Sequence, residues 1–284
     1  MPREKDKDRD SEILRRLGEW TQKDGSLPQF IELYRQLFHL QTSVRPSIVV
    51  PEPNLSEETI LSQLRQGLPL LKFDDLSLNW TLVQNQFRAV IDVFAEYIAE
   101  EMGDAQGLRD LASSIPLLQQ VARDWYQGLP LSSIASEHRV SEEFLSATIQ
   151  TALRPFLMAY SEASCGFVKQ ELWRRRNCPV CGGKPDFAFL DKERGARWLL
   201  CSRCDAQWLF QRLECPYCGT QNKDDLSYLT DDQEVYRLYT CEKCHSYIKA
   251  IDLRKVDAEV LLPLERVLTV DIDRQAEEAG YRPG

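Results

Sequence analysis

"CPVCGG", residues 178–183, is written again thirty-seven residues later as "CPYCGT", residues 215–220. Two residues between cysteines let both sulfurs converge on one metal ion while the N–H groups of the turn point at the thiolates. Proline after the first cysteine fixes φ, and glycine after the second tolerates a positive φ, so Pro179, Gly182, Pro216 and Gly219 favour this turn. The stretch is a knuckle, and a tetrahedral four-sulfur site needs two of them. Two more CxxC pairs supply the others. The four pairs are Cys178/Cys181, Cys201/Cys204, Cys215/Cys218 and Cys241/Cys244, separated by 19, 10 and 22 residues.

The repetition extends past the cysteines. "RWLLCSRCDAQW" (197–208) aligns with "RLYTCEKCHSYI" (237–248), each with an arginine four residues before its pair and an aromatic, Trp208 or Tyr247, soon after it. The repeated unit reads as knuckle, hairpin, strand, knuckle, strand. Each copy, about forty residues, is too small to fold on an apolar core alone, and a bound metal can supply roughly 10–16 kcal/mol of folding free energy in such peptides. The repeat favours sequential pairing: Cys178, Cys181, Cys201 and Cys204 on one ion, and Cys215, Cys218, Cys241 and Cys244 on another. A cross-brace that interleaves the knuckles is the alternative. Either way two mononuclear Cys₄ sites result, with no position open for a catalytic water. Four thiolates suit zinc or a rubredoxin-type iron equally, so the sites read as structural or electron-transferring.

Composition sets the wider frame. The chain has 284 residues, 43% of them hydrophobic, a net charge of −9 and nine cysteines, of which the first 164 residues hold none. The acidic balance argues against nucleic acid and suits a basic partner. No run reaches the roughly 18–20 apolar residues of a membrane helix. "MPREKDKDRD" has no apolar stretch of the kind a secretory signal needs, so a cytoplasmic location is expected. In a reducing compartment such cysteines bind metal rather than pair as disulfides.

The first half reads as helical. Phe30, Leu33, Tyr34, Leu37 and Phe38 recur at helical spacing, as do Val83, Phe87, Val90, Ile91, Phe94, Ala95 and Ile98. Segments near 57–66, 106–127 and 141–170 look alike, with Asn54, Ser56 and Ser141 as candidate N-caps. The expected layout is α plus small β. It comprises a flexible charged tail (1–25), a helical bundle (26–172), two tandem rubredoxin-like or zinc-ribbon modules (173–209 and 210–252), and a C-terminal helix with its tail (253–284). "LSSIASEHRVSEEFLSATI" (131–149) has the outline of a helix-turn-helix, but Glu142 and Glu143 replace the basic residues that would meet phosphate. Arg174–Arg176 reads as a solvated linker, with a docking patch for an acidic partner as the sharper alternative.

"CEKCH" (241–245) matches the CxxCH of c-type haem attachment, but its cysteines complete a repeated Cys₄ unit, leaving His245 as a neighbour of the knuckle. His39 and His138 have no catalytic partner in the sequence, and Cys165 reads as a small buried hydrophobe in the last helix of the bundle. There is no phosphate loop, G-x-S-x-G elbow or H-E-x-x-H motif. No catalytic residue is assigned, and an enzyme is not expected.

"CPVCGGKP", "CPYCG", "CEKCHSYIKAID" and the closing "LTVDIDRQAEEAGYR" resemble the formate dehydrogenase accessory proteins of the FdhE type, over residues 178–282. The hairpin "DFAFLDKERGAR" is bulkier than in that family. The resemblance implies a cytoplasmic, chaperone-like maturation factor with a helical N-terminal domain and paired rubredoxin-like iron modules. It would bind the catalytic subunit of a formate dehydrogenase during assembly or activation. It also carries metal ligation over to the eight CxxC cysteines. Tyr247 and Lys249 match family positions without a role. The competing expectations are a redox protein acting on the dehydrogenase and a nucleic-acid-binding zinc-ribbon protein; homo-oligomerisation is left open.

Overall fold

The computed structural model describes residues 4–20, 28–51, 56–102 and 105–284. The chain divides into two compact units, one of Met1–Pro51 with Lys72–Tyr160, the other of Glu52–Leu71 with Ser161–Gly284.

The helices in chain order are α1 (Glu4–Trp20), α2 (Pro28–Val44), α3 (Glu57–Gln66), α4 (Trp80–Tyr97), α5 (Ala99–Met102), α6 (Gln106–Leu111), α7 (Ile115–Gln127), α8 (Ser132–Glu137) and α9 (Glu142–Ser164), followed late in the chain by α10 (Leu262–Leu268) and α11 (Val270–Glu278). The stripe expected over 83–98 lies on α4, where Val83, Phe87, Val90 and Ile91 are fully buried. Ser56 and Ser141 cap as expected, their hydroxyls accepting from Thr59 N at 3.2 Å and Phe144 N at 3.1 Å. Asn54 lies outside the described residues.

Residues 4–20, expected to belong to a flexible charged tail, are instead helical. On α1, Ile13 and Leu17 stand one turn apart and are buried, each contributing about 1.5–3 kcal/mol by leaving water. Arg15 and Arg16 pair with Glu12 at 2.7 Å along the outer face. Asp10 meets the buried Arg45 at 2.8 Å just past the end of α2. High charge density hid a narrow apolar stripe.

The pair around 131–149 is bundle packing. Ala135, Leu145 and Ile149 are buried, and the Glu142 carboxylate accepts from Leu131 N at 2.7 Å.

The second unit is built on one seven-stranded sheet. Its strands are β1 (Pro185–Leu190), β2 (Arg197–Cys201), β3 (Gln207–Leu209), β4 (Leu226–Thr230), β5 (Tyr236–Cys241), β6 (Ser246–Asp252) and β7 (Arg282–Pro283), in the order β3-β2-β1-β6-β5-β4, with β7 on β6. β1–β3 and β4–β6 are antiparallel meanders, and β1 joins β6 in parallel from Phe187↔Lys249 to Leu190↔Asp252. Parallel pairing of the first strand of one copy with the last of the other means that the copies repeat by translation across the sheet. They share one sheet rather than lying as beads on a string.

The expected boundary at 172/173 moves. Leu70 N and Leu71 N donate to Pro179 O and Val180 O, each at 2.9 Å, binding the segment after α3 to the first knuckle. The expected single C-terminal helix is two short ones, α10 and α11, packed with the sheet face that carries Phe187, Phe189, Tyr247 and Ile251. Among the described residues, no helix is long and apolar enough to cross a membrane.

Candidate metal centres

Each knuckle closes in the same way. The residue after the second cysteine adopts a left-handed conformation: Gly182 (φ 73°), Asp205 (55°), Gly219 (75°) and His245 (52°). Its N–H donates to the carbonyl of the first cysteine at 3.0, 3.3, 3.0 and 2.9 Å respectively. Backbone N–H groups then face sulfur, with Val180 N to Cys178 Sγ, Arg203 N to Cys201 Sγ and Tyr217 N to Cys215 Sγ each at 3.4 Å. The turn therefore aims partial positive charge at the thiolates before any ion is considered. At Gly183 a Cβ would lie 2.8 Å from the Arg203 side chain and 3.1 Å from Cys201 Sγ, so glycine lets the chain pass close to the sulfur without displacing either.

The fold gathers the cysteines four and four. Cys178, Cys181, Cys201 and Cys204 form one group, and Cys215, Cys218, Cys241 and Cys244 the other, with all sulfurs of a group within 4.8 Å of one another. This is the sequential arrangement, and no cysteine is in a disulfide. Sulfurs from opposing knuckles stand 3.7 Å (Cys178–Cys204), 3.5 Å (Cys181–Cys201), 3.7 Å (Cys215–Cys244) and 3.7 Å (Cys218–Cys241) apart. Four sulfurs held roughly 2.3 Å from a central ion at tetrahedral angles stand about 3.8 Å apart, so both groups fit one metal ion each. Burial pushes the Cys178 and Cys204 thiols well up, because a sulfur's charged form is costly to bury.

The two groups differ in exposure. All four sulfurs of the first belong to buried residues, whereas Cys218 and Cys244 of the second are partly exposed.

Charged groups the sequence did not place surround both. Arg197 and Arg237, equivalent in the repeat, have diverged. Arg197 is 2% exposed and donates to the carbonyls of Gln211 and Glu214, the latter at 2.6 Å, in the connector leading to Cys215. Burial lowers its pKa to about 10, and the rings of Phe210 and Tyr239 lie 5.2 and 5.6 Å from the guanidinium. Arg237 instead pairs at 2.8 Å with the fully buried Asp252, which Arg254 also meets at 2.6 Å. Hydrogen bonding from Arg254 and the nearby Arg237 charge lower the Asp252 pKa to about 2.

The C-terminal segment is fastened to both centres. Arg266 reaches Cys201 O at 3.1 Å, Asp205 at 3.0 Å and Asp186 at 2.9 Å. Burial opposes its charge, but the two carboxylates hold its pKa above the usual value. Arg282 N donates to His245 O at 2.9 Å, and Tyr281 hydrogen-bonds Glu242 within the last knuckle. Between these anchors, Tyr247 OH and Lys249 Nζ meet the two oxygens of Asp273 at 2.9 and 2.5 Å. The roles of Tyr247 and Lys249 needed a partner 24 or more residues away, which no local spacing reveals.

The other residues singled out in the sequence supply no side chain to either group of sulfurs. His39 is exposed on α2, His138 follows the end of α8, and His245 is an exposed turn residue whose ring lies tilted, 6.4 Å from that of Tyr281. Cys165, expected to be buried, is exposed: α9 ends at Ser164 and a 3-10 turn carries the thiol outward. Arg175 and Arg176, expected as linker, bind the carbonyls of Arg65 (3.5 Å) and Tyr217 (2.6 Å).

A helical unit followed by one sheet carrying two closed four-cysteine groups defines a protein of the paired rubredoxin-like or zinc-ribbon class, each group of a geometry that can hold one metal ion. The "Protein FdhE homolog" of Aquifex aeolicus is 30% identical over 272 residues, spanning 94% of this chain and 90% of that one. The chain belongs to the FdhE family. A homolog in Haemophilus influenzae is 23% identical over 230 residues, 79% of this chain and 76% of that one. The family model described as "FdhE, central domain" matches residues 177–212, the first Cys₄ copy. The crystal structure of the FdhE protein from Pseudomonas aeruginosa shares the fold, with a TM-score of 0.61 over 97% of this chain and 92% of that one at 22% identity.

Proposed function

We propose that the chain is a cytoplasmic accessory factor that binds the catalytic subunit of a formate dehydrogenase and serves its assembly or activation. The observation carrying this reading is that both ligand sets in this family member are already complete. The eight sulfurs gather four by four, so an ion held by either group would have no vacant position for substrate, which suits a structural or electron-transfer centre and not a hydrolytic one. Bound zinc or iron would supply folding free energy to a sheet whose copies are each too small for a core. The chain itself supplies the knuckle N–H groups, the arginine pairs and the C-terminal fastening that fix the sulfurs. Co-purification from a formate-metabolising cell tests the reading: the tagged chain is expected to retain the dehydrogenase subunit, and its absence from the eluate overturns the proposal.

The partial exposure of Cys218 and Cys244 favours one variant. An iron ion in the second centre would lie near enough to the surface to exchange electrons with a docked subunit, while the first centre is buried. A reversible ferric-thiolate spectrum assigned to the second site supports the variant, and native protein filled with zinc rules it out.

A further inference from the structure

The outer edge of β4 is open. Among the described residues no strand pairs with it, and four of its five residues are exposed, Tyr228 at 53% and Leu229 at 67%. The phase of the ladder shows which backbone groups face outward. Glu242 N donates to Asp225 O at 2.9 Å and Asp231 N to Tyr236 O at 3.4 Å, so the odd-numbered residues of β4 bond to β5. Backbone groups alternate along an antiparallel strand. Tyr228 and Thr230 therefore turn their N–H and C=O groups away from the sheet, and Leu226 its C=O alone, its N–H being taken by Lys223 O in the preceding 3-10 turn.

The translational repeat shows what such an edge accepts. β4 occupies in the second copy the place of β1 in the first, and the corresponding edge of β1 is filled by β6 running parallel to it. The molecule thus contains, in its own centre, an example of the strand addition that its rim lacks. Charge narrows the occupant. Asp224 and Asp225 precede β4, and Asp231, Asp232 and Glu234 follow it, against Lys223 and Lys255 nearby. A second copy fits poorly. The continuing strand would be β3, which has three residues, and its Leu209 N–H is already taken by Gln170 at 3.0 Å.

We propose that the free edge of β4 is a docking site for an extended segment of a partner polypeptide, added parallel to β4, with apolar or β-branched residues at its centre and basic residues at its ends. Main-chain hydrogen bonds to Tyr228, Thr230 and the Leu226 carbonyl give affinity, the exposed Tyr228 and Leu229 give apolar contact, and the acidic ends select charge. The inference rests on the accessory reading only for the identity of the polypeptide that supplies the strand.

The test uses the full chain with its metals and a labelled Val/Thr peptide carrying lysine pairs at both ends, beside a twin with glutamate pairs. The lysine peptide is expected to bind, to slow amide exchange at Tyr228 and Thr230, and to weaken as salt rises. Tyr228→Pro removes an outward N–H and leaves the β5 ladder intact, and is expected to weaken binding about tenfold or more. Asp224→Lys with Asp232→Lys, which leaves the β4 backbone untouched, is expected to weaken the lysine peptide and favour the glutamate twin. No binding to the parent protein, equal binding by both peptides, or self-association lost in Tyr228→Pro overturns the proposal. Dehydrogenase capture is scored separately. A parent chain that binds peptide but captures no dehydrogenase refutes the accessory reading and not the edge. Capture undiminished by Tyr228→Pro refutes the edge and not the accessory reading.

Discussion

Lys249 Nζ lies 2.5 Å from Asp273 Oδ2, with the lysine side chain 5% exposed. The same ammonium donates to Arg266 O at 3.0 Å and Thr269 O at 3.3 Å, so a strand of the second copy holds the junction of α10 and α11. Removing one member of such a pair strands a buried charge, at a cost of about 3–5 kcal/mol. Asp273→Ala is therefore expected to destabilise the protein by that amount, while Lys249→Met, which removes the charge, costs less. Urea denaturation of both variants checks the order.

The cysteine groups predict separable losses. Cys178→Ala and Cys215→Ala are each expected to lose one metal equivalent and leave the other, because each ion draws its four sulfurs from one group. Metal analysis of each variant measures this. Loss of both ions from either substitution would show that the copies cannot be loaded independently.

His245 holds φ of 52°, a conformation that strains side chains other than glycine's, with His among the residues that tolerate it best. His245→Gly is expected to keep both metal equivalents and to change stability by no more than about 1 kcal/mol. Gly182→Ala, at φ 73°, is expected to destabilise instead. Thermal melts of the two proteins make the comparison. A metal deficit in His245→Gly would mean that the imidazole does more than turn the chain.

Asp252 has a pKa of about 2 in the folded protein because of its bond to Arg254 and the charge of Arg237. A carboxylate whose folded pKa lies below its unfolded value of about 3.9 adds stability that is full above that value and lost as pH falls through the folded pKa. Relative to the parent, Asp252→Asn is expected to be less stable at pH 5–7, with the gap closing between about pH 4 and 2. Taking the difference between the two proteins removes the acid release of metal common to both. A gap that does not change with pH contradicts the assignment.

What was legible in the sequence was local chemistry. The four knuckles and the helical first half follow from spacings of two to four residues that any neighbouring structure must respect, and the repeat of the whole unit favours the sequential grouping over a cross-brace. The parallel pairing of β1 with β6 was not legible, because it joins residues about sixty apart in sequence and neither strand's composition names its neighbour. Helix α1 was missed because Ile13 and Leu17 are two apolar positions in a segment crowded with charge. The repeat of Arg197 and Arg237 was visible, but their divergence was not: one binds carbonyls of the connector and the other Asp252. Cys165 was misplaced because nothing local announces where α9 gives way to its 3-10 turn.

Metal quantitation with X-ray absorption on the full-length protein tests the central claim most directly. Two ions per chain, each with four sulfur neighbours at about 2.3 Å, is the predicted result. One ion or none, or a nitrogen or oxygen ligand in either shell, would contradict it.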